Sequence, residues 1–369
     1  MATVGPLNIA DQGMFFVGGE YRGDDRGLPT HMAGQMYVRY QIPVARRSQK
    51  GRLPVVMIHG AGQQGTNFSG TPDGRPGWAD FFLAQGWPTY VVDQPGRGRS
   101  PYLDEDYGTR TRLDVPHLES HFTAVQQAGL WPQAAQHSQW PDKGMRGAPA
   151  FDQFIASQYK GMETPLQERY TVNALTALLD RIGPAVLLTH SQSGPMGWCT
   201  ADARPQLVKA ILAVEPNGPL FHDSEDATGT VTRAYGLSRE PLTFEPPITH
   251  PSELKLVQQK TADGPGLFRC WEQRRPARKL SRLAGIPILI VTGEASYHAQ
   301  YDHGASRFLR QAGVKNDHLR LGEAGIHGNG HMMMLEKNNL EIAALMEKWL
   351  RRRLAHRRTA TTAKEVPRG

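Results

Sequence analysis

Cysteine is scarce, long apolar runs are missing, and the charge is nearly balanced away from one end. Each shortage removes a class of protein. Two cysteines in 369 residues, Cys199 and Cys270, cannot build the disulfide framework of a small secreted module, and their separation matches no zinc-ligand spacing. A single bridge between them is left open. No stretch approaches the roughly 20 apolar residues that cross a bilayer, so no membrane partner is expected. Residues 1–11 carry neither a basic segment nor an apolar one. A cytoplasmic location is therefore the expectation, although a mature exported chain would read the same way. Much of the formal charge of +7 sits in Arg351, Arg352, Arg353, Arg357 and Arg358. Basic residues suit the C-terminal end of a helix. With no nucleic-acid-binding motif nearby, they read as a solvated helix end and imply no nucleic-acid partner. Neither a Gly-Lys-Ser/Thr nor a GxGxxG pattern follows a strand, so no phosphate cradle, no cofactor and no metal are expected.

What is present is an alternation of short apolar runs and helical patterns. Residues 14–17 and 36–42 read as early strands, the second with the period-two alternation of a half-buried one. Further strands are expected at 55–58, 89–92, 185–188, 210–214, 286–291 and 319–321. Helical patterns occupy 78–85, 166–182, 194–204 and 340–353. Such alternation implies an α/β fold, a mostly parallel central sheet with helices on both faces. The expected organisation is one domain over residues 1–358 and a disordered tail over 359–369. Two connections, about 101–164 and 217–280, are too long for simple loops. Both follow strand C-terminal ends, where ligands bind in open α/β sheets, and their aromatic content favours an ordered lid or cap.

The residues that carry chemistry sit at those strand ends. Thr189-His190-Ser191-Gln192-Ser193-Gly194 follows the run 185–188 directly. A strand, then small-x-Ser-x-small, then a helix is the layout of a nucleophile elbow, which holds one serine hydroxyl proud of the sheet. Thr189 and Ser193 occupy positions where glycine is usual. A serine hydroxyl needs a neighbouring base. Gly325-Ile326-His327-Gly328-Asn329-Gly330-His331-Met332-Met333-Met334 follows the last strand. His331 is preferred as base because the Met run after it would fix its position, leaving His327 to line the pocket or to support the catalytic residues from behind. The acid that orients the imidazole could be Glu215, at a strand end and pinned by Pro216, or Glu294 or Asp302 in the loop after the next strand. Ser296 stands where an aspartate would be usual. Backbone N–H groups for an oxyanion come from Gln192, after the nucleophile, and from Ala61 within His59-Gly60-Ala61-Gly62. Trp78, Trp198 and Phe68 are candidate pocket walls.

Taken together, Ile58-His59-Gly60, Asp93-Gln94-Pro95-Gly96-Arg97-Gly98-Arg99-Ser100, His190-Ser191-Gln192-Ser193-Gly194 and His331-Met332 resemble the α/β-hydrolase superfamily. The likeness runs from about Met36 to Leu354. More narrowly, Gln12-Gly13-Met14-Phe15-Phe16-Val17-Gly18-Gly19, Glu215-Pro216 and the text from Gly328 to Asn338 resemble bacterial esterases that take their acid after the sixth strand. That resemblance implies Ser191, Glu215 and His331 as a triad, with Ala61 and Gln192 forming the oxyanion hole. Ala61 stands where some of those relatives carry cysteine.

The expected function is a cofactor-independent serine hydrolase acting on a small-molecule carboxylic ester or lactone through an acyl-enzyme on Ser191. The same residues would also suit acyl transfer or carbon–carbon bond hydrolysis. A different class, a non-catalytic ligand-binding protein on a hydrolase scaffold, stays open because fold alone does not fix function. The substrate is not named by any motif, and a homodimer is left open.

Overall fold

The structure is a computed structural model. It describes residues 4–362 except 25, 45, 47, 48, 50, 112, 113, 160 and 226–230, and beyond residue 355 it describes the backbone alone. Ten strands are found among these residues: β1 (Ile9–Gly23), β2 (Pro29–Pro43), β3 (Val55–Ile58), β4 (Thr89–Asp93), β5 (Ala185–His190), β6 (Val208–Val214), β7 (Leu256–Gln258), β8 (Trp271–Gln273), β9 (Ile288–Thr292) and β10 (Asp317–Arg320). Eight of them form one sheet in the order β1-β2-β4-β3-β5-β6-β9-β10, while β7 and β8 pair separately. The β1–β2 and β2–β4 pairings are antiparallel, and every pairing from β4 to β10 is parallel.

The central strands are short and wholly apolar because both of their faces are covered. Successive side chains point to opposite faces. Val56, Ile58, Leu187, Ile211 and Ala213 therefore join one core, with Leu175 and Leu179 of the helix Thr164–Ile182. Val55, Met57, Val186, Leu188, Leu212 and Val214 join the other, with Phe82 and Met346. The β1–β2 hairpin is longer than its apolar runs suggest, at 15 residues a strand, because backbone pairing continues past the buried positions. The final helix, Asn339–Thr362, passes Thr359, where the tail was expected to begin. Residues 363–369 and the side chains of Arg357 and Arg358 lie outside the described residues.

Both long connections are ordered where described. The first carries short helices, among them Val125–Ala128 and Pro149–Ala156, and a π-turn, Glu119–Thr123. The second carries a short 3-10 helix, Pro251–Leu254, and the β7–β8 pair. Cys199 and Cys270 are buried and both free, so the bridge left open by the sequence does not form. Among the described residues no helix is long and apolar enough to cross a membrane.

Candidate active site

The C-terminal ends of β3, β5, β6 and β9 converge on one place. Ser191 follows β5 directly and has φ +53°, the left-handed backbone an elbow requires. The turn is tight on all sides. A Cβ on Gly60 would lie 3.1 Å from Ser191 Cβ, and one on Gly194 would lie 2.6 Å from Pro216 Cβ. Thr189, larger than the usual glycine, fits because Gly197 faces it: a Cβ there would meet Thr189 Cγ2 at 2.7 Å. Ser193 supplies more than small size. Its hydroxyl lies 2.8 Å from the Ile58 carbonyl and accepts from His190 N at 2.8 Å, tying the elbow to β3.

Glu215 follows β6, also at positive φ (+43°), and is fully buried. Three donors converge on its carboxylate: Gly293 N at 2.7 Å, the Ser296 hydroxyl at 2.7 Å and His331 Nδ1 at 2.5 Å. Burial and then the nearby Asp302 push this carboxyl well above its ordinary range, while Ser296 and Gly293 pull it back. With three donors aimed at it, the carboxylate is the form the surroundings are arranged to hold. His331 is held well below the usual imidazole range by burial first, then by His190, His298, His117 and His121. It therefore rests as a neutral imidazole.

The other candidate acids are engaged elsewhere. Glu294 bonds His327 Nδ1 at 2.9 Å and Gly328 N at 2.9 Å. Asp302 bonds His298 Nδ1 at 2.8 Å and Thr292 Oγ1 at 2.7 Å. His327 has a side chain 66% exposed and turns toward Glu294, so it is a surface residue and not a pocket one. Trp78, Trp198 and Phe68 also differ from the expectation. All three are buried in the cores, with Trp78 donating to the Asn339 carbonyl at 2.9 Å and stacked on Phe68. Their size made them look like pocket walls, but large aromatics serve equally as core.

Ala61 is exposed and Gln192 buried, and among the described residues neither backbone N–H has a protein acceptor. Unpaired amides at such a junction are the raw material of an anion-binding site. The loop bearing Ala61 is anchored through Gln94, whose amide donates to the His59 carbonyl at 2.6 Å and whose N–H meets His59 Nε2 at 3.1 Å. The glycine-rich turn after β4 thus has a structural task. Asp93 accepts from Gly65 N and from Arg99, which fixes that loop. Arg97 is buried against Gln192, 3.4 Å from its Oε1, and burial lowers its pKa to about 10.

Several residues around His331 were given no role by the sequence. Glu336 accepts from Gly330 N at 2.9 Å, Asn329 Nδ2 at 2.7 Å and His137 Nε2 at 2.8 Å, so it braces the His331 loop against the first long connection. The His298 ring stacks on His331, with centroids 4.9 Å apart. Phe122, from the π-turn, and Tyr297 pack against the same imidazole at 5.0 and 4.9 Å. π-turns recur at functional sites. Glu215, His298 and His331 bring metal-ligand atoms within 4.8 Å of one another. Each, however, is already committed to a hydrogen bond within the protein.

No protein-family model matches the chain. It is 42% identical over 342 residues to a probable secreted lipase, phiG, from Fungal sp. (strain ATCC 74256), covering 92% of this chain and 89% of that one. It is also similar to a solved structure described as a novel bacterial esterase, with a TM-score of 0.59 and 28% identity over 96% of this chain and 99% of that one. With the parallel sheet and the strand-end constellation, these likenesses define the class. The chain belongs to the α/β-hydrolase superfamily.

Proposed function

We propose that the protein is a serine hydrolase that cleaves a carboxylic ester, open-chain or lactone, through an acyl-enzyme on Ser191. The observation that carries this reading is the buried 2.5 Å bond between Glu215 and His331 Nδ1, beside a serine held at positive φ. Glu215 fixes the imidazole with its proton on Nδ1, which leaves Nε2 free to take the Ser191 proton. Ser191 Oγ attacks the ester carbonyl, and the negative charge that develops on the carbonyl oxygen is met by the N–H groups of Ala61 and Gln192. Glu215 stabilises the imidazolium that forms. The C–O bond then breaks, the alcohol leaves with the proton, and a water activated by His331 releases the acid.

The names of the relatives, a lipase and an esterase, support ester bonds as the target. The relative named as secreted supports an exported enzyme, against the cytoplasmic expectation, and fractionation of a producing culture decides between them. The test of the chemistry is turnover of short-chain p-nitrophenyl and alkyl esters by the wild type and by Ser191→Ala. The variant should lose roughly 10⁴-fold or more in kcat. Hydrolysis retained by Ser191→Ala overturns the proposal.

A further inference from the structure

Arg97 carries a charge that its own turn does not need. The turn after β4 is already fixed by Asp93, which accepts from Gly65 N and Arg99, and by the Ser100 hydroxyl on the Asp93 carbonyl at 2.7 Å. The Arg97 side chain leaves that turn and reaches toward the elbow. Its Nη2 donates to Gln192 Oε1 at 3.4 Å and its Nε to Gln167 Oε1 at 3.3 Å, both long, while Nη1 has no partner. The residue is 2% exposed, and among the described residues no carboxylate pairs with it. Burial lowers its pKa only to about 10, so it is charged at neutral pH. Space is kept for it, since a Cβ on Gly161 would lie 2.2, 2.4 and 2.5 Å from its Nη2, Nε and Cζ. A buried cation without a counter-ion is costly, and what lies beside it decides whether the cost serves anything.

What lies beside it is Gln192. That residue opens the helix Ser193–Ala203, and its backbone N–H has no protein acceptor among the described residues. We propose that Arg97 is a positioning residue for the oxyanion hole. It holds Gln192 by the side-chain amide and keeps an unneutralised positive charge on the side of the site where the ester carbonyl oxygen becomes negative. This rests on the serine-hydrolase reading above. The ester is neutral and the tetrahedral intermediate is an anion, so a fixed cation favours the second over the first. Away from water the field of such a cation is weakly screened. The N-terminal end of the helix adds a field of the same sign. A carboxylate paired with Arg97 would cancel its contribution, and none is paired with it. Buried against Gln192, the guanidinium acts through that residue and through its field, without touching the substrate.

The test separates charge from packing. Arg97→Met removes the charge and keeps much of the length, while Arg97→Lys keeps the charge. Rates are taken per site titrated with a fluorophosphonate, so loss of folded protein is corrected for. Arg97→Met should lower kcat roughly 10- to 100-fold with KM nearly unchanged, and Arg97→Lys should stay within about fivefold of the wild type. An alkyl boronic acid gives a reading that a packing role would not move, because its adduct with the Ser191 oxygen is a tetrahedral anion. Its inhibition constant should rise in Arg97→Met by the factor by which kcat falls. Gly161→Ala, whose Cβ displaces the guanidinium, should weaken the boronate in the same direction, and it carries the test together with Arg97→Lys if Arg97→Met does not fold. Unchanged boronate affinity in Arg97→Met or Gly161→Ala, or a loss in Arg97→Lys as large as that in Arg97→Met, overturns the proposal. Failure of the underlying reading has a separate signature, ester hydrolysis by Ser191→Ala, which does not depend on Arg97.

Discussion

Ser296 donates its hydroxyl to Glu215 Oε2 at 2.7 Å. In the loop after β9, where an aspartate would be usual, the chain has placed a donor, and the carboxylate has come from the end of β6. Glu215→Gln should lower kcat roughly 10³- to 10⁴-fold with little change in KM. The amide cannot accept from Gly293, Ser296 and His331 together, and turning its NH₂ toward His331 favours the wrong tautomer. Ser296→Ala removes one bond to a charged group, worth about 1.5–3 kcal/mol, and should lower kcat by about tenfold to a hundredfold. Steady-state kinetics on one ester check both. Wild-type turnover by Glu215→Gln would contradict the assignment.

Acid should act on the fold through its buried imidazoles. Burial lowers His59 and His318 to about 4 and His190 to about 3. An unfolded chain binds protons at these residues near the ordinary value of about 6.5, before the folded one does. Stability is therefore full above about pH 6.5 and falls as the pH drops toward 4. At pH 5 each such group costs on the order of 2 kcal/mol. Glu215, shifted upward, acts in the opposite direction and offsets part of the loss. The urea midpoint should therefore drop clearly between pH 7.5 and pH 5. For catalysis the sign differs. His331 must be neutral, and because its pKa is held low, kcat/KM should stay flat well below pH 6.5 in protein that remains folded.

The elbow helix can approach β6 only because residue 194 lacks a side chain. A Cβ there would sit 2.6 and 2.7 Å from Pro216 Cβ and Cα. Gly194→Ala must push back the Glu215-Pro216 backbone, at a cost of about 1–3 kcal/mol. Activity should fall with stability, since Glu215 moves with Pro216. Gly264→Ala, with its nearest atom at 3.5 Å, is the control and should change stability by less than about 0.5 kcal/mol. Thermal denaturation and ester turnover of the two variants make the comparison.

The parts of this site that were legible in the sequence are those written in consecutive residues. The elbow, the loop of Ala61, Glu215 at a strand end and His331 before its Met run each carry a local pattern that a turn or strand end requires. The bounds of β1 and β2 were not legible, because hydrogen bonding extends the hairpin beyond the apolar stretch. Glu215 could not be separated from Glu294 and Asp302 by spacing. What separates them is where each carboxylate points, and that is set by which strands are neighbours. Tyr297, His298 and Phe122 left no trace because they reach His331 from distant loops. Trp78 and Trp198 misled for the converse reason, since a large aromatic packs into a core or a pocket with the same residues around it in sequence.

The central claim is that Ser191 is the nucleophile of an ester hydrolase. Titrating the full chain with a fluorophosphonate, while following ester turnover and mapping the adduct by peptide mass spectrometry, tests it most directly. The account predicts one adduct per chain, on the peptide containing Ser191, with activity falling in proportion to labelling. Ester hydrolysis that persists in fully labelled protein, or inactivation with the adduct on another residue, would contradict it.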